Sequence, residues 1–257
     1  MKTFLGSGGL GDMLICYSKC FNHINKDEKF HYTYIDEVTN RRTKVDYTKF
    51  ADEFLKLQNI DYNIISAKQF EYYQEHGKEY DFTFSPQVYG DVSDFLRRPN
   101  SIRSDCQPYM NFKLPELYDS TFLDKRKRIT ITSFAGNGDD PRRSWSSKKF
   151  LQDLIKFLYV KLGYQVYLTG INDDEKYDYC YDIRYLNLPE KLVYIINSDA
   201  IICFSGFIHL FSCFENKKII CKYEGDAAKE FYFHPVWLEN NVKFWYNESY
   251  TEILDKL

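Results

Sequence analysis

Two short segments place residues able to do chemistry where a strand runs into a helix. In the C-terminal half, Ala200-Ile-Ile-Cys-Phe-Ser-Gly-Phe-Ile-His-Leu-Phe-Ser-Cys-Phe214 reads as an apolar strand, a turn at Ser205-Gly206 and a helix carrying His209. Glycine lets a backbone approach a ligand closely. The first N–H groups of a helix, aligned with its dipole, favour an anion such as a pyrophosphate. His209 follows Ser205 by four residues, so on a helix both face the same way, toward whatever occupies the turn. The competing reading is a serine N-cap and a core histidine. At the N-terminus, Gly6-Ser-Gly-Gly-Leu-Gly-Asp12 follows a short strand and precedes the apolar run Met13 to Cys16. Asp12 there is either a helix N-cap or a general base that takes the proton of an attacking hydroxyl above the carboxyl edge of a sheet.

The same glycines admit other chemistries. Gly6, Gly8 and Gly11 satisfy G-x-G-x-x-G, and Asp36 closes the next strand where a ribose-binding acid belongs, which keeps a nicotinamide- or flavin-dependent oxidoreductase as an alternative. A P-loop is excluded, because Asp12-Met13 stands where Lys and Ser/Thr are required and a carboxylate repels phosphate. A third segment lies mid-chain. After the strand ending at Ser133 comes a polar loop with Arg142, Arg143 and Trp145, then an amphipathic helix, then Tyr164-Gln-Val-Tyr-Leu-Thr-Gly170. Guanidinium groups in such a loop suit a nucleotide diphosphate through charge-assisted contacts, and Trp145 suits a core anchor.

The elements that must position these residues alternate in the manner of α/β layers. Strands are predicted near 2–5, 30–36, 61–65, 80–84, 128–133, 164–169, 183–186, 200–204 and 217–222. Helices are predicted near 12–24, 47–58, 67–76, 147–162, 190–197 and 206–214, with a last helix within 248–257. Residues 85–124 carry too many prolines for long regular elements. The expected organisation is two doubly wound domains, 1–124 and 125–257.

Composition narrows the function class. A formal net charge of −3 gives no overall polyanion-binding signature, although Arg97-Arg98, Lys125 to Arg128 and Arg142-Arg143 are local basic clusters. An odd number of cysteines, seven, most of them in apolar surroundings, leads to the expectation of a reduced, cytoplasmic protein. No CxxC pair or HExxH motif occurs, so no metal site is expected. The glycines after Met1-Lys-Thr-Phe-Leu precede any apolar h-region, and no apolar run reaches bilayer length, so neither a signal peptide nor a transmembrane segment is expected.

Three segments in this order resemble the heptosyltransferase-like glycosyltransferases of family nine. They are Gly9-Leu-Gly-Asp12, the Ser133 to Ser146 loop with its helix and Val166-Tyr-Leu-Thr-Gly170, and Ser198-Asp-Ala-Ile-Ile followed by Ser205-Gly-x-x-His-Leu210. The resemblance implies a GT-B fold, two Rossmann-like domains facing across a cleft, with the N-terminal domain on the acceptor side and the C-terminal domain holding a nucleotide-diphosphate sugar. It implies Asp12 as the general base and Arg142 or Arg143 on the donor pyrophosphate. It also implies Gly9, Gly11, Ser133, Gly170, Ser205, Gly206 and His209 as donor-binding residues, with no metal and no cofactor beyond the sugar nucleotide. The acceptor stays open between a glycan, a lipid-linked sugar, a protein and a modified nucleic acid. Two departures stand out: Phe204 replaces the acid usual before the Ser/Thr-Gly pair, and Ser146 replaces the proline after the tryptophan. Phe204 leaves a non-catalytic nucleotide-sugar-binding module as a third reading.

Overall fold

A computed structural model of the chain describes residues 1–37, 47–84, 106–133, 145–170, 175–222, 234–246 and 249–257. The chain divides into two compact units, Met1–Phe112 with Asp226–Val236, and Lys113–Gly225 with Trp237–Leu257.

The first unit runs β1 (Lys2–Ser7), α1 (Leu10–Cys20), β2 (Phe30–Glu37), α2 (Tyr47–Gln58), β3 (Asp61–Ala67), α3 (Gln69–His76) and β4 (Phe82–Thr83). Its strands form a four-stranded parallel sheet in the order β3-β2-β1-β4. A central parallel strand must be apolar on both faces, and Phe4 and Leu5 of β1 are fully buried. In α2 the buried residues are Ala51, Phe54, Leu55 and Gln58, the i, i+3, i+4, i+7 stripe that made the helix legible. Much of the chain's aromatic content is spent here: Phe4 packs edge-on to Phe30 at 5.6 Å and flat on Phe82 at 5.2 Å, while Tyr17 meets Phe21, Tyr32 and Phe54.

The second unit runs β5 (Arg128–Thr132), α4 (Lys148–Val160), β6 (Gln165–Thr169), β7 (Tyr181–Asp182), α5 (Leu188–Ile196), β8 (Ala200–Phe204), α6 (Phe207–Phe214), β9 (Lys218–Lys222), α7 (Pro235–Asn240), β10 (Val242–Trp245) and α8 (Tyr250–Leu254). Its six-stranded parallel sheet has the order β10-β9-β8-β5-β6-β7. Counted within the unit, that is the 3-2-1-4-5-6 order of a dinucleotide-binding sheet, which reverses between β5 and β8. The helix starts are written in the sequence. Ser147 caps α4 through the Phe150 N–H at 3.1 Å, and Asn187 and Glu190 form a reciprocal capping box on α5. Leu151, Leu154, Ile155 and Leu158 of α4 pack on Ile129, Ile131, Val166, Leu168 and Ile202 of the sheet.

Some elements depart from the sequence expectation. The strand expected at 183–186 is instead the short β7 at Tyr181–Asp182. Ile183 still donates its N–H to Leu168, but Leu186 closes a turn on the Ile183 carbonyl and the chain leaves the sheet. The helix α7 and the edge strand β10 were not expected at all. Among the described residues no helix is long and apolar enough to cross a membrane, and no cluster of His, Cys, Asp or Glu is arranged to hold a metal ion.

Candidate functional site

In an open parallel sheet, ligands bind outside the carboxyl ends of the strands where the order reverses. In the second unit that point lies between β5 and β8, so it falls at Ser133 on one side and at Ser205-Gly206 on the other. The fully buried strand β8 delivers the chain to Ser205, and Gly206 turns it into α6 with φ 157° and ψ −158°, a conformation reserved for glycine. The N-cap of α6 is therefore Gly206, and Ser205 stands one residue before it. His209 occupies the third helical position, is 1 % exposed, and accepts the Gly206 N–H on Nδ1 at 2.5 Å. That bond fixes the tautomer: Nδ1 is the acceptor, so the neutral ring carries its proton on Nε2. It also removes the Gly206 N–H from the donors that a bound anion meets. The donors at this helix start are thus those of Phe207 and the residues after it.

The first unit repeats the device. At the carboxyl end of β1, Gly8 takes φ 109° and Gly9 becomes the N-cap of α1. Asp12 is not the N-cap anticipated from the sequence but the third helical residue, and its Oδ2 accepts the Gly9 N–H at 3.0 Å. Tyr34 donates its hydroxyl to the Gly8 carbonyl at 2.5 Å. Burial, followed by the nearby carboxylates of Asp36 and Asp12, pushes this hydroxyl well above the usual tyrosine range, so it remains a donor. The residues of the alternative dinucleotide reading have internal partners. A Cβ on Gly6 would lie 2.5 Å from the Tyr32 hydroxyl and 2.7 Å from the Cys16 Cβ, so packing within the unit requires this glycine. Asp36 is 2 % exposed and accepts the Thr48 hydroxyl at 2.7 Å.

The remaining sequence-derived residues divide. Ser133 is fully buried at the end of β5, and its N–H bonds the Thr169 carbonyl at 2.8 Å. Gly170 follows β6 with φ 119°. Gly11 lies in the first turn of α1, beside Asp12. Arg142 and Arg143 lie outside the described residues. Trp145 anchors the end of its loop as the sequence suggested, donating its indole N–H to the Thr132 carbonyl at 2.9 Å and stacking on Trp245 at 5.1 Å. Phe204 belongs to the same aromatic cluster, edge-on to Trp145 at 5.3 Å and 2 % exposed. Four residues of this carboxyl edge escaped the sequence reading: Thr132, Thr169, Lys222 and Trp245. Lys222 is 8 % exposed, with its ammonium 5.9 Å from the Phe204 ring centre and 5.5 Å from that of Trp245, a cation held on aromatic faces. Each of the four ends a strand, which is the signal that marks them. The buried Cys203 thiol of β8 offers no nucleophile, because burial, Cys221 and Cys213 raise it well above its usual range.

No protein-family model matches the sequence, and no curated protein matches it significantly. Solved structures do match. The E. coli ADP-heptose lps heptosyltransferase II is 14% identical, with a TM-score of 0.58 over 100% of this chain and 97% of that chain. The E. coli heptosyltransferase WaaC with ADP is 10% identical, with a TM-score of 0.57 over 98% of this chain and 93% of that chain. A UDP-GlcNAc 2-epimerase from Methanocaldococcus jannaschii is 10% identical, with a TM-score of 0.52 over 100% of this chain and 91% of that chain. At these identities the likeness is one of fold, and it spans the whole chain: two parallel α/β units of the Rossmann-like kind that the heptosyltransferases share, as the motifs had implied.

Proposed function

We propose that this protein is a glycosyltransferase that moves a sugar from a nucleotide-diphosphate donor to an acceptor hydroxyl. The observation that carries the reading is the end-to-end likeness of fold to heptosyltransferases, one of which holds ADP. The second unit supports it with a glycine turn and a helix start at the reversal point of its sheet. On this reading the donor diphosphate rests against the first turn of α6, with Arg143 or Arg142 neutralising its charge in place of a metal ion. His209, with its proton on Nε2, donates to the donor sugar or phosphate. Ser133, Gly170 and Ser205 shape the surface of the second unit around it, and the resemblance implies Gly9 and Gly11 of the first unit as further donor-binding residues. Asp12 removes the acceptor proton as the glycosidic bond forms, while the nucleoside diphosphate departs with the bonding electron pair.

Thermal unfolding in the presence of ADP-, UDP- and GDP-sugars, set against NADH, NADPH and flavins, tests the reading. A matched sugar nucleotide at ~1,000 times its Kd stabilises the folded state by about 4 kcal/mol. Stabilisation by a nicotinamide or flavin cofactor alone overturns it. The epimerase fold likeness gives a second reading, in which a sugar nucleotide is bound and rearranged without transfer. Acceptor-dependent release of nucleoside diphosphate separates the two, because the second needs no acceptor.

A further inference from the structure

Among the described residues, two threonine hydroxyls at the carboxyl edge of the six-stranded sheet are buried without partners, and their residues stand side by side. Thr132 ends β5 and Thr169 ends β6; the two are register partners in parallel strands, so their side chains leave the same face of the sheet. They are 3 % and 0 % exposed, and among the described residues neither hydroxyl has a hydrogen-bond partner. Their backbones are satisfied, the Thr132 carbonyl by Trp145 and the Thr169 carbonyl by Ser133, so the deficit is confined to the hydroxyls. Nor does this face of the sheet orphan hydroxyls in general. Thr130, two residues earlier on β5 and on the same face, shares a 2.7 Å bond with Ser198, whose hydroxyl in turn reaches the Tyr194 carbonyl. The Gln165 amide nitrogen is also unpartnered, but it lies at the amino edge and its oxygen already accepts from Arg128 and Tyr167. A buried hydroxyl without a partner is costly, and a matched pair of them at a ligand-binding edge points to a partner supplied from outside.

We infer that Thr132 and Thr169 form a subsite for the ribose diol of the bound nucleotide; the inference rests on the nucleotide-sugar reading above. Neighbouring strands lie about 4.8 Å apart, so two side chains that leave the same face from register positions are close enough for each to hold one of two vicinal hydroxyls. A threonine hydroxyl both donates and accepts, and so does each hydroxyl of a diol, whereas a diphosphate only accepts and is better served by the helix start of α6. The pair sits one strand beyond the reversal point, on the side away from β8, so the nucleoside lies over β5 and β6 while its diphosphate lies toward Gly206.

Thr132→Val and Thr169→Val, singly and together, replace each hydroxyl by a methyl group of similar size. The experiment compares binding of ADP, UDP and GDP, and of their 2′-deoxy and 3′-deoxy forms, to the wild type and the variants by calorimetry, with thermal unfolding of each free protein. The wild type is expected to prefer the ribonucleotide, and the double valine variant to lose about tenfold to a hundredfold in affinity for it and to stop discriminating the deoxy forms. The variants are expected to melt at the same temperature as the wild type or higher, because an unpaired buried hydroxyl has been removed. Thr132→Ser and Thr169→Ser, which keep the hydroxyl, are expected to retain the preference. Unchanged ribonucleotide affinity in the double variant overturns the subsite, as does a lowered melting temperature, which reveals partners already present in the free protein. If the wild type binds none of the nucleotides, the functional reading fails and the subsite falls with it.

Discussion

At the start of α6 a histidine does what glutamate does in a capping box, reaching back from the third helical residue to the N-cap N–H. His209 is therefore a structural residue whatever else it does, and substitutions must separate the two roles. Asparagine can place its amide oxygen close to the position of Nδ1, so His209→Asn is expected to keep the cap and melt near the wild-type temperature while binding donor weakly. Leucine removes the acceptor, and His209→Leu is expected to cost about 1 kcal/mol of stability as well, measured by urea unfolding. Full donor affinity in His209→Asn would show that the ring serves the helix alone. Asp12 has the same geometry in the other unit. Asp12→Asn retains an oxygen for the Gly9 N–H and should cost less than about 1 kcal/mol, yet lower turnover by ~10²–10⁴ if the carboxylate is the base. Wild-type turnover in that variant would reduce Asp12 to a capping residue.

The elements that place these residues were unequally legible. The helix at 47–58 follows from its apolar stripe, and the strand at 200–204 from an unbroken apolar run closed by Ser-Gly. The edge strand β10 was hidden because Val242 to Trp245 is only four residues long, and its assignment depends on pairing with β9 rather than on its own pattern. Within the candidate site, spacing was enough to bring Ser205 and His209 to one turn. It was not enough to show that Gly206 is the cap, since that follows from a backbone conformation and a ring rotamer. Nor does a sequence reveal which hydroxyls will lack partners, so Thr132 and Thr169 were invisible as a pair. The α6 turn carries its own prediction. Among the described residues nothing beyond its own turn lies within 4 Å of where a Cβ on Gly206 would stand, so Gly206→Ala meets no clash there, but φ 157° strains any other residue. The expected cost is about 1–3 kcal/mol, read from chemical unfolding, with a matching loss of donor binding as the helix start shifts. An unchanged unfolding midpoint would mean that the turn adopts another conformation in solution.

At the scale of the molecule, the opening segment of the second unit is tied into that unit's core by several bonds, Tyr167 to Thr121 and Arg128 to the Phe122 carbonyl among them, and one of them titrates. Tyr194 on α5 donates its hydroxyl to the Asp119 carboxylate, which also accepts the Thr121 N–H at 2.7 Å. Burial raises the carboxyl, but the hydrogen bonds from Tyr194 and Thr121 outweigh it and hold its pKa below the ordinary value; burial and the Asp119 partnership raise Tyr194. The lowered acid contributes stability above the ordinary aspartate pKa of about 3.9 and loses it as pH falls through its native value. The raised tyrosine contributes below about 10 and loses it as pH rises. Asp119→Asn is therefore expected to cost about 1 kcal/mol at pH 7 and little at pH 2, seen as a flatter acid limb in urea midpoints. A parallel acid limb would show that the bond is broken in solution. The placement of Trp245 has a consequence for the order of synthesis. Trp145 leaves the ribosome a hundred residues before its stacking partner on β10 and before Ile253 of α8, which closes the same core. The first strand of the second unit is also the centre of its sheet, flanked by β6 and β8. Until β10 emerges, a nascent chain holds the Trp145 face without its stacking partner, and the core of the second unit closes only once β10 and α8 have been made.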